Sequence, residues 1–112
     1  MGRVEGLVSI VTGAASGIGK ASAIRLAEEG SNVVCADINL AGAQATADQI
    51  VATGKKAIPF KIDISDSIQC DQIAQTTLEK FGSIDILVNN AGVNLPSVFH
   101  ETTNDEIGRA HV

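Results

Sequence analysis

The 112-residue sequence contains no tyrosine and no tryptophan, only two cysteines and two prolines, and eight Lys or Arg against thirteen Asp or Glu. A formal net charge of -5 without any basic cluster leaves no electrostatic footprint for nucleic acid or an anionic membrane surface. Affinity for a phosphate group must therefore come from backbone dipoles. Cys35 and Cys70 lie far apart inside apolar segments, which favours buried free thiols over a disulfide or a metal pair and implies a reducing, cytoplasmic compartment. No apolar run approaches the ~20 residues needed to span a bilayer. The opening MGRVEG lacks the layout of a secretory signal, and Gly6 stands where a myristoylation signal requires Ser or Thr. No internal repeat or low-complexity tract is present.

What is there is an apolar content of 45%, enough for one modest core and for one domain at most. The organising stretch is TGAASGIG, residues 12–19. A mainly apolar run, residues 7–11 with Ser9 as its one polar member, leads into it and reads as a strand buried on both faces. A helix-favouring stretch, residues 20–29, leads away. Strand, glycine-rich turn and helix start is the arrangement in which backbone amides and the positive end of a helix dipole face a phosphate. Gly13 suits the tight turn, Gly17 a close approach to the ligand, and Gly19 close helix–strand packing. Glycines also cluster in ordinary turns, and the spacing is not that of GxGxxG. Nor is it a P-loop, since Ala21 stands where Ser or Thr would hold magnesium.

Along the chain, helix-period apolar residues Ala21, Ile24, Leu26 and Ala27 end at Gly30, and NVVCA, residues 32–36, is a second buried strand ending at Asp37. A second helix spans 40–52, with Ala43, Ala47, Ile50 and Val51 at helix spacing. A third strand covers 57–62, and Pro59 argues for an outer position because proline cannot donate to a ladder. A third helix spans 65–81, capped by Ser65 or Asp66, with Ile68, Ile73, Thr76 and Leu78 as its apolar contacts and Gly82 as its stop. IDILV, residues 84–88, is a fourth strand running into Asn89-Asn90-Ala91-Gly92. In the remainder, Thr103 and Glu106 have capping-box spacing. The alternation predicts an α/β fold with a parallel sheet and right-handed crossovers.

In such a sheet, ligands bind outside the carboxyl ends of the strands, where strand order reverses. All four predicted strands end suggestively: Thr12-Gly13, Asp37, Asp63 and Asn89-Asn90. Asp37 lies 18 positions after Gly19, near the ~20 at which an acidic side chain meets the adenosine ribose of NAD, where it would also repel the 2′-phosphate of NADP. It could equally cap the following helix. Asp63 could accept from an adenine amino group or merely turn the chain. An amide at Asn89 or Asn90 can bridge strand ends, being both donor and acceptor, and Ala91 and Gly92 are small enough to let a ribose or nicotinamide lie on the backbone.

Together these motifs resemble the short-chain dehydrogenase/reductase family: TGAASGIG its TGxxxGxG loop, Asp37 its NAD-selecting acid, Asp63-Ile64 its adenine-side aspartate, and NNAG, residues 89–92, its fourth-strand motif. The resemblance implies a Rossmann-like parallel sheet with helices on both faces, an NAD cofactor and an alcohol or carbonyl substrate. It implies cofactor contacts from Gly13, Ser16, Gly17, Ile18, Gly19, Asp37, Ile38, Asp63, Ile64, Asn90, Ala91 and Gly92, and a homo-oligomer. Ser16 and Asp37 occupy places where NADP-preferring members carry a basic residue. The family's serine and YxxxK pair are absent, so residues 1–112 read as a single partial domain, the cofactor-binding half of a longer enzyme, with no catalytic residue in it. His100 and His111 read as loop or surface residues. The alternative is a non-catalytic dinucleotide-binding or interaction module. By family topology the fourth strand would be left as an open apolar edge, which predicts that the isolated chain self-associates.

Overall fold

The computed structural model describes residues 4–90. Four strands, β1 (Val8–Thr12), β2 (Asn32–Asp37), β3 (Ala57–Lys61) and β4 (Ile86–Asn89), alternate with three helices, α1 (Gly17–Glu28), α2 (Leu40–Ala52) and α3 (Ser67–Phe81). The sheet is wholly parallel in the order β3-β2-β1-β4, so the chain steps outward from β1 through β2 to β3 and then crosses back to the other side of β1. Because successive strand residues face opposite sides, Ile10, Val34 and Leu87 enter one core with Cys70 and Ile73 of α3. Val11, Val33 and Cys35 enter a second core with Ala23 and Ala27 of α1 and Ala43, Ala47 and Ile50 of α2. The sheet is thus covered on both faces, as the buried runs of β1 and β2 require; the one polar side chain within the β1 run, Ser9, is paired with the Ser31 hydroxyl at 2.6 Å.

Several boundaries and faces differ from the sequence reading. Helix α1 begins at Gly17 rather than residue 20, since the glycine loop runs directly into the first turn. Its buried stripe is Gly19, Ala23 and Ala27, a strict i, i+4 row, while Ile24 and Leu26 only flank the core and Ala21 is exposed. Val51, Ile68 and Leu78 are also exposed. Thr46 and Thr77 are buried instead, beside Ile50 and Ile73, so each of these helices turns a threonine as well as an isoleucine toward the sheet. Asp66, not Ser65, caps α3 by accepting from the Ile68 N–H. Strand β4 starts at Ile86 because Asp85 is engaged before the ladder begins: its N–H donates to the Val8 carbonyl and its carboxylate accepts from the Val8 N–H at 2.8 Å. Strand β3, which carries Pro59, lies at the sheet edge as expected. Ala91, Gly92, His100, His111 and the capping-box pair Thr103 and Glu106 lie outside the described residues.

Both cysteines are buried and free, on opposite faces of the sheet. Burial pushes the Cys35 thiol up to about 12. The Cys70 thiol is raised as well, first by burial and then by the nearby carboxylates of Asp66, Asp71 and Asp63. Since the thiolate is the reactive form, the folded chain is expected to resist an aromatic disulfide reagent at pH 8 and to release two equivalents only on denaturation. One fast equivalent from native protein would contradict this packing.

Candidate functional site

The carboxyl ends of β1, β2 and β4 and the turn after β3 converge on one edge of the sheet. Thr12, the last residue of β1, is buried and its hydroxyl lies 3.3 Å from both the Val88 carbonyl and Asn89 Oδ1, while it accepts the Asn90 N–H at 3.1 Å. These contacts tie the end of β4 to the start of the glycine loop. The loop then closes on Asn90. A Cβ on Gly13 would stand 3.1 Å from Asn90 Nδ2, and one on Gly19 would stand 2.8 Å from the same atom and 2.0 Å from the Gly13 carbonyl oxygen. Gly13 and Gly17 both have positive φ, 69° and 59°, which only glycine adopts at no steric cost. At Gly17 a Cβ would meet nothing within 4 Å, so the backbone at the start of α1 stands bare. Ser16 is exposed in the N-cap position with its hydroxyl making no capping bond, and the first turn carries no acidic side chain. No acidic side chain of its own first turn therefore neutralises the positive end of the α1 dipole.

Asp37 closes the opposite side of the loop. Its carboxylate accepts from the Ala15 N–H at 3.0 Å through one oxygen and from the Asn39 N–H at 2.9 Å through the other. It does not cap α2; Asn39 does, accepting from the Gly42 N–H at 3.1 Å. Each Asp37 oxygen retains acceptor capacity beyond these single bonds. Asp63 takes part in a local turn, accepting from both the Ser65 N–H and the Ser65 hydroxyl. Those two bonds, the hydroxyl's first, hold its carboxyl below the usual range, so it is an acceptor at neutral pH.

A cleft of about 220 Å³ joins the two aspartates, lined by Gly13, Asp37, Ile38, Ile62, Asp63, Ile64 and Ser65. Five candidate residues, Gly13, Asp37, Ile38, Asp63 and Ile64, thus come together. Ser16, Gly17 and Gly19 sit at the neighbouring start of α1, and Asn90 packs against the glycines from the β4 side. Ile18 shares that first turn of α1, with its side chain 75% exposed and lining an apolar groove with Ala21, Leu26 and Val88. Sequence reasoning overlooked Ala14, Ala15, Gly42 and Thr46. The buried Thr46 hydroxyl donates to the Ala14 carbonyl at 2.8 Å, and a Cβ on Gly42 would stand 2.6 Å from the Ala15 Cβ. The available signal was a threonine and a glycine on the apolar face of an otherwise alanine-rich helix. Among the described residues, no group of His, Cys, Asp and Glu could hold a metal ion, and no helix is long and apolar enough to cross a membrane.

The family model described as short chain dehydrogenase matches residues 7–111. An uncharacterized oxidoreductase of Methylorubrum extorquens is 39% identical over 97% of this chain and 44% of its own length. A short chain dehydrogenase from Mycobacterium avium superposes with a TM-score of 0.78 at 43% identity, over 83% of this chain and 36% of that one. A candidate D-mannonate oxidoreductase from Haemophilus influenza, solved with NAD bound, gives 0.77 at 29% identity over 85% and 34%. The chain therefore spans less than half the length of these relatives.

Proposed function

Because this chain belongs to the short-chain dehydrogenase family of oxidoreductases, we propose that it is the dinucleotide-binding part of an NAD(H)-dependent enzyme acting on an alcohol or carbonyl substrate. The observation that carries the reading is the Asp37 carboxylate, held at the end of β2 by the Ala15 and Asn39 N–H groups and lining the same cleft as Gly13 and Asp63.

The residues present fit such a group. The bare backbone at Gly17 and the uncapped start of α1 suit a pyrophosphate. Asp37 would accept from the ribose hydroxyls and disfavour a 2′-phosphate, and Asp63, ionised at neutral pH, would accept from the adenine amino group. Ile38 and Ile64 line the cleft between them. Asn90, Ala91 and Gly92 would border the nicotinamide ribose. When bound, the cofactor supplies the hydride; this chain's residues orient it. With no tyrosine in the sequence, residues 1–112 hold no phenol to move the accompanying proton, so we assign no catalytic residue here. Residues 1–112 then form one partial domain that binds but does not turn over. Substrate pocket and homo-oligomeric assembly are attributes of the whole protein. The two free thiols suit a cytoplasmic setting.

The test is calorimetric titration with NADH and NADPH, since no tryptophan is available for a quenching signal. NADH is expected to bind at least tenfold more tightly. Equal or tighter NADPH binding overturns the NAD assignment, and absence of heat with either ligand from folded protein overturns the dinucleotide reading.

A further inference from the structure

Three successive backbone groups of the glycine loop are fastened to one structural unit, β2 with α2. The Ala14 N–H donates to the Ala36 carbonyl at 3.0 Å, the Ala14 carbonyl accepts from the Thr46 hydroxyl at 2.8 Å, and the Ala15 N–H donates to Asp37 at 3.0 Å. Gly42, one turn before Thr46, leaves just the room that the Ala15 methyl occupies. Thr46 is wholly buried, so it can touch no ligand.

We propose that Thr46, with Gly42, is a positioning residue for the phosphate-binding backbone: α2 clamps Ala14-Ala15 and thereby sets where the amides at the start of α1 point. This rests on the dinucleotide reading above and adds a helix to the site. The physical reason is that a helix–loop contact through a buried hydroxyl is exacting. Its carbonyl partner belongs to a buried residue and loses a short bond if the hydroxyl goes. Valine matches threonine in shape, so Thr46→Val removes the bond with little change in volume. The loop relaxes, and a relaxed loop holds a pyrophosphate less well than a fixed one.

The experiment compares wild type, Thr46→Val and Thr46→Ser for binding of NADH and ADP by calorimetry, and of adenosine at millimolar concentration by amide NMR shifts. Thr46→Val is expected to weaken NADH and ADP by the same factor, about tenfold (~1.4 kcal/mol), which is the cost of re-fixing the relaxed loop on each phosphate ligand. Adenosine, which has no phosphate, is expected to change less than twofold, and Thr46→Ser to restore both phosphate ligands. Gly42→Ala, which presses on Ala15 from the same helix, is expected to reproduce the pattern and serves if Thr46→Val does not fold. The clamp is overturned if NADH and ADP bind the folded variants as they bind wild type, or if adenosine weakens equally. Failure of wild type itself to bind NADH or ADP overturns the dinucleotide reading and the clamp with it.

Discussion

Gly19→Ala is expected to abolish dinucleotide binding and to lower the melting temperature by more than 10 °C. On propensity alone the change should help, because glycine inside a helix costs about 1 kcal/mol relative to alanine. Sterics decide otherwise. The added Cβ would stand 2.0 Å from the Gly13 carbonyl oxygen and 2.6 Å from its carbon, both backbone atoms that cannot rotate away. Ordinary overpacking costs about 1–3 kcal/mol, and a clash with main chain belongs at or above the top of that range. A net loss of about 2–3 kcal/mol in a domain near 100 residues corresponds to roughly 10–20 °C. Relief requires α1 to slide away from the loop, which separates the helix start from Gly13 and Asn90. Gly17→Ala is the control: its Cβ meets nothing, so only the left-handed backbone is strained, at about 1–2 kcal/mol. Thermal unfolding of the two variants separates the cases, and a Gly19→Ala protein as stable as wild type would refute the close approach.

Asp37→Asn should reverse much of the preference between NADH and NADPH. The substitution keeps the size of the side chain and one acceptor oxygen while removing the charge. Hydrogen bonds to an ionised acceptor are worth about 1.5–3 kcal/mol against about 1 for neutral ones. Two ribose hydroxyls therefore lose roughly 2–3 kcal/mol between them, or about 30- to 150-fold in NADH affinity. NADPH, relieved of a negative charge facing its 2′-phosphate, is expected to bind as well as before or better. Parallel titrations of the two cofactors measure the ratio. Equal weakening of both would mean that Asp37 acts only by holding Ala15 and reads no ribose.

Much of the sheet was legible because a parallel strand covered on both faces has no polar alternation to disguise it: the runs ending at Thr12 and Asp37 announce themselves. Asp37 was legible as a candidate by its distance from Gly19, and its rival role as a cap is taken by Asn39 two positions on, which no propensity distinguishes. The helix faces were less legible. Val51, Ile68 and Leu78 were read as buried from their spacing, yet Ile50 and Ile73 take the inward positions with Thr46 and Thr77 beside them, so those three face outward. Thr46 showed in the sequence only as a polar residue on the apolar face of α2; its role did not, because its partner, the Ala14 carbonyl, is a backbone group 32 positions away. Side chains that serve main chain at a distance leave no motif.

The bond between the Thr12 hydroxyl and the Asn90 N–H spans 78 positions, whereas β1 pairs with β2, and β2 with β3, across 24. The cleft between Asp37 and Asp63 needs only the nearer pairings, but the seat of Asn90 against Gly13 and Gly19 needs the longest one. Closing a longer loop costs more entropy before any contact rewards it, and distant pairings form late. The expected order of assembly runs one way: the side that carries Asp37 and Asp63 closes first, and the side that carries Asn90 is completed last, when β4 docks beside β1.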